Sequence, residues 1–273
     1  MAGRRFSNRV VVVTGAASGI GLAVARRFAR AGATCALLDM DAARLNACEQ
    51  EFADAGHRAL GLRCDVTRRA DCEAAMQAVI ERFGGIDVLF NNAGITQRSA
   101  FVETRIEVYE RVMAVNFFGA LYCTKAAIDS LIQRRGLIIS NESIAGLAPL
   151  LGRTGYAASK HAMHGLFTSL RSEVRDQGVH VMVVCPGFIK THLQDRALGA
   201  DGTVTRHPQS RIGRQDTPES AAEAIFHGAE KEKDLLVLTA MGKIGYWVSR
   251  LAPAFYERRM ASRFKAELDR PPS

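Results

Sequence analysis

Short apolar runs alternate along the chain with longer segments of helical period. Residues 9–14 (RVVVVT), 34–38, 59–64, 86–90, 137–140, 179–185 and 235–239 read as strands, with amphipathic helical patterns between nearly every pair. Runs so continuously apolar are buried on both faces, so the pattern predicts an α/β, doubly wound parallel sheet covered by helices. No break in composition divides the chain. Residues 1–273 are therefore expected to form one domain with its core at about 9–239. Residues 192–217 have no clear period and are rich in Gly, Arg and Asp; a loop this long predicts a lid or binding loop, and the substrate is expected there.

Composition narrows the classes. A content of 48% hydrophobic and 23% charged residues excludes disorder, and the apolar stretches break well before the roughly 20 residues of a membrane span. The six cysteines form neither a C-x-x-C pair nor a zinc-spaced cluster. Reduced thiols, no metal and a cytoplasmic setting are expected. The net charge of +8 raises nucleic acid, an acidic membrane or an anionic ligand as partners. Most of the basic residues are Arg spread along the chain, and no helix-turn-helix, zinc or aromatic-platform signature accompanies them, so no nucleic-acid partner is expected.

The first strand ends in Thr14-Gly15-Ala16-Ala17-Ser18-Gly19-Ile20-Gly21 and opens a helix predicted over 22–30. Glycines so spaced let the backbone approach a pyrophosphate, which the free N–H groups and positive end of the helix stabilise. The second strand runs to Asp39, 18 residues after Gly21, where a carboxylate can accept from both adenosine ribose hydroxyls. A 2'-phosphate would meet Asp39 as a like charge. Ala17, Ser18 and Met40 offer no base to receive it, and only Arg44, a helical turn further on, could swing back. NAD is the expected cofactor.

A second constellation is Tyr156-Ala157-Ala158-Ser159-Lys160, within a helix predicted over 155–176. Residues four apart share a helix face, so phenol and ammonium point into one cleft. Holding a phenolate near neutrality requires a shift of some three units, about 4 kcal/mol, for which the lysine and a bound nicotinamide cation are the candidates. Thirteen residues upstream, Ser143 is expected to end the fifth strand at the carboxyl edge of the sheet, where a hydroxyl can polarise a carbonyl oxygen.

With these motifs the chain resembles the short-chain dehydrogenase/reductase family over roughly 9–239. The resemblance is carried by the glycine turn, Asp65-Val66 after the third strand, Asn91-Asn92-Ala93-Gly94 after the fourth, Asn116 in VNFFG, Ser143, Tyr156/Lys160, and Pro186-Gly187 with Thr191, in the family's order. It implies a Rossmann-type sheet of seven strands ordered 3-2-1-4-5-6-7 with three helices on each side. It also implies a tetrad: Tyr156 as general acid/base, Lys160 lowering its pKa and holding the nicotinamide ribose, Ser143 on the substrate oxygen, and Asn116 holding a water that links Lys160 to solvent. Asp65 and Val66 would contact adenine, Asn92 and Gly94 would border the adenosine side, and Ile189 and Thr191 would fix the carboxamide. A homodimer or homotetramer built on the helices around Asn116 and Tyr156 is implied as well.

Two departures stand out. Glu142 precedes Ser143 where the family commonly carries a small residue; on a strand it points away from Ser143, and pairing with a neighbouring helix is the expectation, with tuning of the site or a subunit contact the alternatives. The second departure is a helical extension at about 242–268, which argues against the acyl-carrier-protein reductases the family includes. Ile244, Trp247, Val248, Leu251 and Phe255 fall at helical spacing, Pro253 is expected to break the helix, and Met260, Phe264 and Leu268 continue the stripe. Such a face is expected to pack on the domain or a second subunit, with peripheral contact to an acidic membrane the alternative. Leu147, Leu150, Leu151, Phe188 and Leu193 predict an apolar pocket for a bulky secondary alcohol or ketone, steroid-, lipid- or aryl-carbinol-like. His161 and His164 are read as ordinary surface or interface residues. The leading reading is an NAD-dependent alcohol dehydrogenase or ketone reductase; the alternatives are an NADP-dependent carbonyl or 3-oxoacyl reductase and, more distantly, a non-catalytic NAD-sensing protein.

Overall fold

The computed structural model describes residues 4–191, 193–207 and 216–268. Seven strands, β1 (Val10–Thr14), β2 (Thr34–Asp39), β3 (Ala59–Arg63), β4 (Val88–Asn91), β5 (Leu137–Asn141), β6 (His180–Cys185) and β7 (Leu235–Val237), pair in parallel in the order β3-β2-β1-β4-β5-β6-β7. The expected order is the observed one. Alternation decides which helix layer each side chain meets. Val11 and Val13 pack with α1 (Gly19–Arg30), α2 (Ala42–Asp54) and α7 (Pro218–Glu230), whereas Val10 and Val12 pack with α3 (Arg69–Phe83), α5 (Gly119–Gln133) and α6 (Thr154–Val174). In the central strands β1, β4 and β5 both faces are buried, as the unbroken apolar runs require, while the edge strand β3 is partly exposed.

The carboxyl ends of the strands carry the loops that matter. There β1 turns into α1 through residues with no side-chain cap at Ser18. α4 (Ile106–Met113) runs into α5 through a π turn at Ala114–Phe118, which buries Asn116. Single π turns of this kind favour functional sites because they offset the helix register and re-aim one side chain. β7 stops at Val237, short of the expected 239, because Thr239 leaves the sheet and accepts a hydrogen bond from Gly242 N at 3.0 Å, capping α8 (Ala240–Leu251).

Beyond α8, Ala252 alone separates it from α9 (Pro253–Phe264), in which proline takes the first position that its missing N–H suits. The break at Pro253 is as expected, but the stripe divides there. Phe264 is buried and Leu268 reaches the domain at Gly152, while Ile244, Trp247, Leu251 and Phe255 are 57–80% exposed. The first half of the stripe therefore does not pack on the domain, a correction to one of the two expected coverings. The proline turn folds α9 back against α8, placing Tyr256 beside Gly245 and leaving the α8 face outward. No described helix is long and apolar enough to cross a membrane.

Candidate active site

The glycine turn is held from two sides. Gly15 and Gly19 have φ of +64° and +56°, and a Cβ on Gly21 would stand 2.3 Å from the Gly15 carbonyl oxygen, so only glycine fits. Asn92 donates from Nδ2 to the carbonyls of Thr14 (2.9 Å) and Gly15 (3.2 Å), and Thr14 Oγ1 accepts from the backbone N–H groups of Asn92 and Ala93. Asn92 thus braces the turn. The sequence pattern gave it only a place bordering the adenosine side.

Asp39 ends β2 with its carboxylate aimed at this turn: Oδ2 accepts from Ala17 N at 3.0 Å and Oδ1 from Asp41 N at 3.1 Å. Each oxygen keeps a lone pair for a ribose hydroxyl. Arg44, the one base expected within reach, is bound to Asp41 instead, with Nε 3.3 Å from Oδ2 while its own N–H is capped by Asp41 Oδ1. Asp65 is turned inward on Thr67, accepting from its N–H and hydroxyl, and Val66 is buried against Gly119. On the other flank Pro186 and Gly187 follow β6, Gly187 in contact with Thr239; Ile189 is buried and bridges Asp216, and Thr191 lies 3.5 Å from the Cβ position of Gly19. Uncapped N–H groups, glycines that a Cβ would obstruct and a carboxylate held toward them together suit a nicotinamide dinucleotide.

At the centre, α6 presents Tyr156 and Lys160 one turn apart, both buried, with Lys160 Nζ 5.8 Å from the phenol ring centre. Lys160 donates to the Asn141 carbonyl at the end of β5 (2.8 Å) and touches Met163 Sδ at 3.6 Å. Burial lowers its pKa to about 8, against the charge of Glu142. Tyr156 differs from expectation. Burial pushes its phenol above the ordinary value, opposed by a hydrogen bond with Ser143 and the charge of Arg153, so the chain alone favours the neutral phenol.

Ser143 also departs slightly from its expected place. β5 ends two residues earlier at Asn141, and Ser143 instead caps a 3-10 turn over Ile144–Gly146, its Oγ accepting from Ala145 N at 3.1 Å. Asn116 is fully buried; Oδ1 accepts from Ile95 N (2.8 Å), and Nδ2 donates to Ile95 O (3.0 Å) and Ser159 Oγ (2.8 Å). Gly94 sits where Asn116 and Lys160 meet: a Cβ there would lie 3.2 Å from Asn116 Oδ1 and 3.8 Å from Lys160 Nζ.

Around Tyr156 cluster Val108, Val112, Ala145 and Leu198, with Ile95, Leu150 and Ala157 partly buried against them. Phe188 stacks on Phe264 of α9, ring centres 6.3 Å apart and planes at 22°. Of the expected substrate loop, His192 and residues 208–215 lie outside the described residues; Leu198 anchors the described part by bonding both ways with Thr96 and Arg98. Among the described residues no three His, Cys, Asp or Glu side chains come together to hold a metal.

Two features escaped the sequence pattern. Arg153 and Glu267 form a buried ion pair, each side chain 1% exposed, tying the start of α6 to the C-terminal segment. Leu151 N donates to Met260 Sδ at 3.1 Å beside it. His164 is not a plain surface residue: its Nδ1 lies 3.0 Å from Glu142 Oε2. The expected pairing of Glu142 with a neighbouring helix is thus met, by α6.

A parallel sheet with a glycine turn at one strand end and a Tyr/Lys pair facing it defines a nucleotide-dependent oxidoreductase fold. The short chain dehydrogenase family model matches residues 9–200. Dehydrogenase/reductase SDR family member 7B of Bos taurus is 36% identical over 268 residues, covering 95% of this chain and 82% of its own. An SDR family protein 7-like protein of Anopheles gambiae is 33% identical over 260 residues, 93% and 82% of the two chains. A dehydrogenase/reductase from Sinorhizobium meliloti 1021 superposes with TM-score 0.73 at 30% identity, over 85% of this chain and 95% of that one. A short chain dehydrogenase/reductase from Burkholderia phymatum, solved in complex with NAD, shares the fold at TM-score 0.77 and 24% identity, over 99% of each chain. The chain belongs to the short-chain dehydrogenase/reductase family of oxidoreductases.

Proposed function

We propose that the protein is an NAD-dependent dehydrogenase or reductase acting on a bulky, apolar secondary alcohol or ketone. The observation that carries the cofactor choice is Asp39, fixed at the glycine turn with Arg44 engaged elsewhere. Gly15, Ser18, Gly19, Ile20 and Gly21 would receive the pyrophosphate, Asp65 and Val66 the adenine, and Pro186, Gly187, Ile189 and Thr191 the nicotinamide. When bound, the dinucleotide accepts or donates the hydride. Ser143 holds the substrate oxygen, Tyr156 takes the hydroxyl proton in oxidation and returns it in reduction, and Lys160 keeps a positive charge beside the phenol. Asn116 fixes the approach to Lys160 through Ile95 and Ser159. Leu150 and Phe188 supply apolar walls.

A screen of steroids, aryl carbinols, hydroxyacyl esters and polyols with both cofactors tests this reading. Catalytic efficiency with NAD(H) should exceed that with NADP(H) by about tenfold or more, the factor given by some 1.4 kcal/mol of like-charge repulsion. Equal or better use of NADP(H) overturns the cofactor, and a preference for polyols overturns the pocket. One observation favours the NADP reading: Arg63 is the register partner of Asp39 across β2 and β3 and is exposed.

Homo-oligomerisation through the helices around Asn116 and Tyr156 belongs to the same proposal. The outward face of α8 has Ile244, Trp247 and Leu251 exposed, Lys243 and Arg250 are exposed on the same helix, and α9 adds the exposed Arg258 and Arg259, a composition that suits an acidic lipid surface. Flotation with anionic vesicles at low salt should recover the chain and lose it on Trp247→Glu. No recovery from wild type ends the lipid reading and leaves a second subunit.

A further inference from the structure

Tyr156, Lys160 and His164 recur every fourth residue on α6, so the helix face that carries the reacting phenol continues through the ammonium to an imidazole. Opposite this face, Glu142 comes from the end of β5, its N–H still bonded to Val184 O (2.8 Å) and its side chain fully enclosed. Its carboxylate meets His164 Nδ1 at 3.0 Å and Ser140 Oγ at 3.4 Å. His164 is 26% exposed, so the pair runs from the buried end of the strand to the surface.

A carboxylate enclosed by protein is expensive unless it answers other charges. The groups that act on this one are Lys160 and His164 from α6 and the Ser140 hydroxyl from β5, while Cys185 on β6 faces both Glu142 and Lys160. Burial raises the Cys185 thiol, which therefore contributes no charge. Among the described residues, the direct partners of Lys160 are meanwhile a backbone carbonyl and a thioether. Neither is anionic, and an ammonium so placed needs a counter-charge.

We propose that Glu142 and His164 are a positioning pair for the reaction, in which the buried carboxylate keeps Lys160 in its ammonium form and His164 keeps the carboxylate ionised and in place. The role assigned to Lys160 rests on the dehydrogenase reading above; the charge relation does not. Burial acts to protonate Glu142, and His164 is the first force against it. Loss of either member leaves Lys160 facing neutral groups, so its proton departs at lower pH.

The test reads Lys160 directly. In cofactor-free protein carrying 13Cε-lysine, with the signal assigned by its absence in Lys160→Arg, the resonance should titrate near 8. In Glu142→Gln the midpoint should fall by about one pH unit. His164→Ala, at a position about one quarter exposed, should move it in the same direction by less, and the double variant should match Glu142→Gln, as members of one chain of contacts do. The alkaline limb of kcat/KM should move with the resonance. An unmoved titration in both single variants, whatever happens to Tm, overturns the proposal and leaves the pair a packing contact. If the titration moves but wild type turns over no alcohol or ketone, the pair stands and the dehydrogenase reading falls.

Discussion

Tyr156→Phe removes turnover by about two to four orders of magnitude, the range a positioned acid/base group contributes, and leaves NAD binding within a few fold. The expectation follows from what surrounds the phenol. It is buried, and Val108, Val112 and Leu198 back it, so the ring of phenylalanine fills the same space and only the hydroxyl with its exchangeable proton is lost. Because burial raises the phenol's pKa in the chain alone, oxidation at neutral pH depends on cations to offset it. Rates of oxidation should climb with pH until Lys160 gives up its own proton, whose pKa burial brings to about 8 in the absence of cofactor. A rising limb that survives in Tyr156→Phe, or turnover within tenfold of wild type, would sink the assignment.

Breaking the Arg153–Glu267 pair is the largest stability effect expected. Both side chains are 1% exposed, so Glu267→Ala strands a guanidinium in the interior, a loss of about 3–5 kcal/mol for removal of one partner. Arg98 makes this worse: burial and the charge of Arg153 already lower its pKa, and Glu267 is among the charges that offset them. Chemical denaturation should report the loss as a fall in midpoint with an unchanged slope. The double variant Arg153→Met/Glu267→Leu should recover most of it, since an apolar pair of similar volume is often as stable as a buried ion pair. A midpoint in Glu267→Ala within experimental error of wild type would show that the pair holds nothing.

How far the sequence led depends on the range of the contacts involved. Strands such as RVVVVT are legible because burial on two faces writes itself into consecutive residues, and Tyr156 and Lys160 because a helix brings i and i+4 together. Glu142 was legible as an oddity: a carboxylate ending an apolar strand requires a partner, and the helix packed on β5 supplied one. Its partner was not, since His164 reads as surface on its own helix. Arg153 and Glu267 stand 114 residues apart, and each alone resembles the many solvated charges of an arginine-rich chain. The exposed half of the C-terminal stripe misled for the opposite reason. Periodicity records that a face is apolar, while Pro253 decides where that face points.

The contacts between the start of α6 and the C-terminal segment also bear on when the site comes into being. Leu151, Gly152 and Arg153 are met by Met260, Leu268 and Glu267, residues translated more than a hundred positions later. The glycine turn and strands β1 to β6 precede these residues by more than 70 positions, but until 260–268 are present the entry to the helix bearing Tyr156 lacks these contacts. Residues 260–268 thus help to seat the helix bearing Tyr156, and a bulky fusion joined directly after residue 268 would act on that helix rather than on a remote tail.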